Sequence, residues 1–167
     1  MKQENSTFVR DCIMDALLRL MQTKPLADIS ITELTRTAGV GRASFYRNFK
    51  SRQDVLAYKL DLLLREWGEE FEAHGDPTYF SESMFRHFYK YRDMYLLIYR
   101  QGLSNILYES IRRACKLDEA PNQIERYVRS TFAGLTFGMV DEWMRHGMQE
   151  SPDEILQLTK TLENTTH

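Results

Sequence analysis

The sequence predicts an all-α fold of about nine helices, and three observations carry that prediction. Apolar residues recur at three- and four-residue spacing through most of the chain, as one face of a helix requires. No stretch alternates apolar and polar residues as a half-buried strand would. Only four prolines and eight glycines interrupt 167 residues. An apolar share of 43% is enough to build a core, which excludes a disordered chain.

The elements follow in order. Val9, Ile13, Leu17 and Leu20 set one apolar face of a first helix over about 6–21. Pro25 ends it by pushing the residue before it out of helical geometry. Ser30 and Glu33 form a capping box that opens a second, short helix at Ile31. Gly39 supplies the left-handed residue that stops it. A third short helix over about 42–48 anchors itself through Phe45 and Phe49 and turns Arg42, Ala43, Tyr46 and Arg47 the other way. Ser51 caps a fourth helix whose stripe of Leu56, Leu60, Leu63, Trp67 and Phe71 carries it to about residue 73, roughly 30 Å at 1.5 Å per residue. His74-Gly75-Asp76-Pro77 breaks it. Further helices are expected at about 78–90, 93–100, 104–116, 122–148 and 152–164. The last opens with Ser151-Pro152-Asp153-Glu154, a capping box with proline at its first position. The expected domains are residues 1–52 and 53–167.

The net charge of −2 is bland, but its distribution is not. Residues 1–60 hold ten Lys/Arg against six Asp/Glu, while residues 61–167 hold twelve against eighteen. A basic third on an acidic body is the asymmetry of a chain that meets polyanion at one end. Cys12 and Cys115, far apart, read as reduced thiols on apolar helix faces. The longest apolar run, residues 94–99, is far too short to span a bilayer, and the charged amino terminus is no secretory signal. A soluble, cytoplasmic protein is therefore expected.

Residues 29–52 concentrate the functional signal. They read helix, glycine turn, helix, with five basic side chains and no acidic one from Arg36 through Arg52. In a helix-turn-helix the second helix enters the major groove of DNA while residues around it grip phosphates. Arg42 can fork onto guanine O6 and N7, and the small Ala43 can approach a thymine methyl. Ser44 and Tyr46 bring hydroxyls, and Arg47 and Asn48 extend the surface. Thr32 and Arg52 are placed to hold the backbone. The run Ala38-Gly39-Val40-Gly41-Arg42-Ala43-Ser44-Phe45-Tyr46-Arg47-Asn48-Phe49 resembles the signature of the TetR family of bacterial transcriptional regulators, within a similar stretch over about 8–56. The resemblance implies a three-helix DNA-binding domain on a helical ligand and dimerisation domain, a homodimer on a near-palindromic double-stranded operator, and DNA contacts at Thr32, Arg42, Ala43, Ser44, Tyr46, Asn48 and Arg52. Gly41 departs from a common serine cap, and Thr35 from the small alanine that usually packs between the two helices.

The body carries two further candidate sites. Aromatics crowd residues 78–100, and Phe85, Phe88, Tyr89, Tyr95 and Tyr99 are the candidate lining of an effector pocket, with His87 to orient a planar ligand. The same density suits a filled core. On the long helix, Gly134 and Gly138 clear one face for close approach, and glycine inside a helix costs up to about 1 kcal/mol, so packing should be gained in return. The resemblance implies that this region and the final helix form a four-helix dimer interface, with Phe132, Gly134, Phe137, Gly138, Trp143, Leu156 and Leu162 as its candidates; intrachain packing is the other reading. Glu142 and His146 lack a third metal ligand, and no catalytic set, cofactor or metal is expected. The expected function is a repressor released by an effector. The alternative is a regulator of the same family that answers to a protein partner acting as co-activator, discriminated by a filled core and an exposed apolar patch.

Overall fold

The structure, a computed structural model, describes the backbone of residues 2–165 and the side chains of residues 6–159. Nine α-helices and three short 3-10 turns make up the described residues, with no strand among them. The helices are α1 (Lys2–Met21), α2 (Ile31–Ala38), α3 (Arg42–Asn48), α4 (Arg52–His74), α5 (Phe80–Lys90), α6 (Arg92–Arg100), α7 (Ser104–Ala114), α8 (Gln123–Arg145) and α9 (Pro152–Thr165). The chain divides into two compact units, residues 1–60 and 61–167.

In the first unit, α1 packs on α2 and α3. Ile13 and Leu17 of α1, Leu34 of α2, Phe45 of α3 and Leu56 and Leu60 of α4 close its core with almost no exposure. The unit therefore takes in the first two turns of α4, past the expected boundary at residue 52. In the second unit α5 packs on α6 and α9, while α8 packs on α6 and α7. Phe85, Phe88, Tyr95 and Ile98 are fully buried there.

Local chemistry explains the ends. Asn122 starts α8 by accepting the Glu125 amide at 2.9 Å. Helix α8 stops three residues before the expected end at residue 148, because Gly147 and Met148 turn left-handed (φ 79° and 50°) and the Met148 amide returns to the Trp143 carbonyl. Cys12 and Cys115 are free and half-buried, and burial pushes the Cys115 thiol up. No helix among the described residues is long and apolar enough to cross a membrane.

Candidate nucleic-acid interface

The interface is built by the turn between α2 and α3. Ser30 accepts the Glu33 amide at 3.1 Å, so the capping box fixes where α2 begins. Glu33 is clasped by Lys24 at 2.5 Å, which holds its carboxyl below the ordinary value. Gly39 ends α2 in the left-handed region (φ 67°), donating to the Arg36 carbonyl, and the Val40 amide reaches the Thr35 carbonyl. Gly41 caps α3 by backbone alone. Thr35, 4% exposed, turns its hydroxyl onto the Thr32 carbonyl, so it fits the buried side of α2 without an orphaned donor.

Phe45 and Phe49 point inward, their rings 6.1 Å apart. The same spacing leaves Arg42, Ala43, Tyr46 and Arg47 exposed together, with Thr32 exposed on α2 and Ser44 half-buried. Arg42 Nη1 donates to Thr32 Oγ1 at 2.8 Å, and its guanidinium lies 5.9 Å from the Tyr46 ring centre. Arg47 Nη2 donates to Ser44 Oγ at 2.7 Å. Arg42 is thus oriented by the exposed Thr32 and Tyr46, and Arg47 by the half-buried Ser44.

Asn48 and Arg52, also expected at the interface, are engaged inside the unit. Asn48 Oδ1 accepts from Ser6 Oγ (2.9 Å) and Arg10 Nε (3.1 Å), and its Nδ2 donates to the Ser44 carbonyl at 2.8 Å. Arg10 continues to the Tyr58 hydroxyl at 3.2 Å. Asn48 thereby ties α3 to α1, and through Arg10 to α4. Arg52 Nη1 donates to the Ala27 carbonyl at 2.9 Å and to the Ile29 carbonyl, clamping the turn that precedes α2. Arg36 and Lys50 are two further exposed cations on this unit, legible in the sequence as basic residues of the acid-free stretch.

The second unit presents an apolar stripe on α8. Ile124, Tyr127, Val128, Phe132 and Leu135 are exposed, from 46% to 78%, and Leu158 of α9 is exposed as well. Of these the sequence reading named only Phe132, although 124, 127, 128 and 135 keep helical spacing. Gly134 and Gly138 are exposed beside them, and a Cβ at either would meet nothing of this chain within 4 Å. Phe137 is half-buried against Tyr108. Trp143 is buried in its own unit, stacked on Tyr89 and donating Nε1–H to the Glu150 carbonyl at 3.2 Å. Leu156 is half-buried, and the Leu162 side chain lies outside the described residues.

Of the aromatic set, Phe85, Phe88 and Tyr95 have no exposure at all. Tyr89 leans on Trp143, and the half-buried Tyr99 donates to Asp141 at 2.7 Å. Burial, helped by the Asp141 carboxylate, pushes the Tyr99 phenol up. None of the five lines the open cleft of about 300 Å³ formed by the second half of α4 and by α5, where Trp67, Phe71, His74, Tyr79, His87 and Lys90 stand. Glu142 pairs with His146 at 3.3 Å, and among the described residues no three potential metal ligands converge.

Two family models match this chain. Residues 13–58 match the bacterial regulatory proteins of the tetR family, and residues 75–165 match a transcriptional regulator C-terminal region. The chain is 35% identical over 60 residues to the HTH-type transcriptional regulator EthR of Mycolicibacterium smegmatis, covering 36% of this chain and 28% of that protein. To EthR of Mycobacterium tuberculosis it is 40% identical over 47 residues, covering 28% and 22%. The match spans about a quarter of the length of these curated relatives. Among solved structures, Lin0861 from Listeria innocua aligns with a TM-score of 0.79 at 17% identity, covering 98% of this chain and 93% of that one. Dihydroxyacetone kinase operon activator DhaS aligns at 0.53 and 16% identity, covering 94% and 95%. At those identities the likeness is one of fold.

Proposed function

Since the chain belongs to the TetR family of bacterial transcriptional regulators, we propose that it binds a near-palindromic operator as a homodimer, represses there, and lets go when an effector binds its carboxy-terminal unit. It acts as its family does, by binding DNA and not by catalysis.

The observation that carries the DNA contact assignment is the exposed face of α3. Arg42, Ala43, Tyr46 and Arg47 stand together there, in a stretch without a carboxylate between Glu33 and Asp54. In this reading α3 lies in the major groove. Arg42 forks onto a guanine edge, and Ala43 lets the helix sit close. Tyr46, Arg47, Ser44 and Thr32 hold the base edges and phosphates around it. Asn48 and Arg52 serve the same face from behind by fixing the position of α3 and of the turn before α2.

The apolar stripe on α8 supports self-association. Five large exposed apolar side chains on one helix, next to two bare glycines, are what a second copy would cover. Two copies also supply the two reading helices that half-sites one helical turn apart require. A dimer held on a promoter excludes polymerase from the same DNA, so repression is the simplest consequence of occupancy. An effector relieves it by favouring a dimer conformation that fits the operator less well, and only to the extent of its preference for that conformation. A second reading, in which a protein partner replaces the small molecule, is favoured by the filled core around Phe85, Phe88 and Tyr95; operator binding that changes only when a second protein is added would carry it.

The test is selection of DNA fragments on the purified chain at near-physiological salt, followed by binding isotherms on the enriched site. Recovery of a near-palindrome bound by two copies is expected. Weak, salt-sensitive binding without sequence preference would overturn the reading.

A further inference from the structure

The cleft between the second half of α4 and α5 is not the aromatic core, and its chemistry differs from that core. Trp67 and Phe71, one turn apart, form its α4 wall, and the His87 ring stacks on Trp67 with centres 5.8 Å apart. Trp67 cannot swing freely. Its Nε1–H is given to Ser83 Oγ at 3.1 Å, and the Ser83 hydroxyl is given in turn to the Phe80 carbonyl. The aromatic surface is therefore pre-organised, which lowers the ordering cost of a ligand.

Two donors meet that surface. The fully buried Tyr95 hydroxyl has His87 Nε2, at 3.2 Å, as its hydrogen-bonding neighbour. A buried phenol must place its proton, so Nε2 accepts, and the neutral imidazole carries its own proton on Nδ1. Burial holds the His87 pKa down to about 4, so the ring stays neutral at physiological pH. Nδ1–H then has no acceptor among the described residues, on a ring that lines the cleft. Lys90 follows three residues later on the same face of α5. It rests over the Tyr91 ring, 5.1 Å from its centre, and its hydrogen bond to Tyr91, with the nearby carboxylates of Glu70 and Glu66, favours its charged form. Arg86, by contrast, is held by Glu82 and Asp153, each at 2.9 Å.

Charge decides the ligand class. Glu70 is the one carboxylate of the lining, and Arg86 is already neutralised by Glu82 and Asp153, so the exposed Lys90 is the cation that a guest can reach. An anionic guest finds that ammonium, shared so far with Tyr91 and the more distant Glu70 and Glu66, together with the His87 Nδ1–H. A volume of about 300 Å³ sits at the lower end for small-molecule sites, which restricts the body to one ring or two fused ones. The geometry points to a binding site for a planar aromatic carboxylate, its rings against Trp67 and Phe71 and its carboxylate on Lys90 Nζ and His87 Nδ1–H.

The cleft also has a route to the α8 stripe. Phe80 touches Trp67 (5.4 Å) and Phe71 (5.5 Å) on one side and Phe132 (5.1 Å) on the other, and Phe132 belongs to the stripe. Phe80 backs the aromatic wall without lining the cleft, so a ligand that shifts Trp67 or Phe71 pushes on Phe80 and through it on the surface assigned to self-association. That regulatory consequence deepens, and rests on, the operator-binding reading; ligand capture does not.

Calorimetric titration of the full chain with naphthoate, without DNA, tests the capture. Saturable binding is expected, weakened about tenfold or more for the uncharged amide of the same ring and for the protein variant Lys90→Met, since a hydrogen bond to a charged group is what both remove. No saturable binding overturns the site. Equal affinity for the amide or for a naphthyl trimethylammonium, or no loss in K90M, overturns the anion assignment. The same titration on the operator complex separates the two claims. Naphthoate that binds but leaves operator affinity unmoved sinks the route through Phe80 and leaves the site standing. Naphthoate bound by a chain that selects no operator sinks the DNA reading alone.

Discussion

Replacing Arg52 by alanine should weaken the amino-terminal unit itself, and the structure allows the loss to be sized. One nitrogen of the guanidinium serves two backbone carbonyls, Ala27 at 2.9 Å and Ile29. Hydrogen bonds to charged groups contribute about 1.5–3 kcal/mol each in mutational series. Here both acceptors share one nitrogen on a half-buried side chain, so about 2 kcal/mol for the pair is a fair expectation. With a urea dependence of about 1–3 kcal/mol per molar, that lowers the unfolding midpoint by about 1 M. The assay is urea unfolding of the full chain by circular dichroism, run beside operator binding at several salt concentrations. Folded R52A should show the lower midpoint with an unchanged slope of log affinity against log salt. An unchanged midpoint with a slope smaller by about 0.9 would put the guanidinium on a phosphate instead and refute the clamp.

Three further outcomes are expected. Arg42→Ala should cost about 1–3 kcal/mol of operator affinity and relax preference at one base pair, read by competition with single-base operator variants; a loss equal for all sequences would remove Arg42 from base readout. Glutamate at both Tyr127 and Leu135, which are 66% and 63% exposed, should leave helix content intact and shift sedimentation from dimer to monomer, and a dimer that persists would acquit the α8 stripe. His87 should also make stability pH-dependent. Its folded pKa of about 4 lies below the 6.5 of the free side chain, so between those values the unfolded chain binds the extra proton. Stability is then intact above about pH 6.5 and falls as pH drops toward 4, by about 3 kcal/mol at most. His87→Gln should flatten that window, and an unchanged pH profile in H87Q would assign the loss to other groups.

The sequence was most legible where a few neighbouring residues decide the structure. Ser30 with Glu33, Ser51 with Asp54 and Ser151 with Glu154 each close a cap within four residues, and each marks a helix start. Gly39 stops α2 for a reason visible in one residue. The exposed face of α3 was legible for the same cause, since Phe45 and Phe49 fix which side turns inward. Pairings across distant stretches were not legible. Nothing local says that Arg52 will meet carbonyls more than twenty residues earlier, or that Asn48 will be claimed by Ser6 and Arg10. Nor can aromatic density tell a filled core from an open cleft. Phe85, Phe88 and Tyr95 pack into the first while Trp67 and Phe71 wall the second, and only the arrangement of helices separates them.

The engagement of Asn48 inside its own unit limits how much α3 can say. A helix of seven residues, anchored by Phe45 at its middle and Phe49 at its end and with its last side chain tied to α1, leaves Arg42, Ala43, Ser44, Tyr46 and Arg47 to face a partner. A genome presents about 10⁶–10⁹ competing addresses. In the proposed reading these few side chains cannot spell one of them alone, and the rest of the address would come from repetition by a second copy and from the stiffness and groove width of the DNA between two half-sites. If the proposed operator reading holds, a promoter that drifts in those untouched central bases loses this regulator as surely as one that loses a contacted guanine.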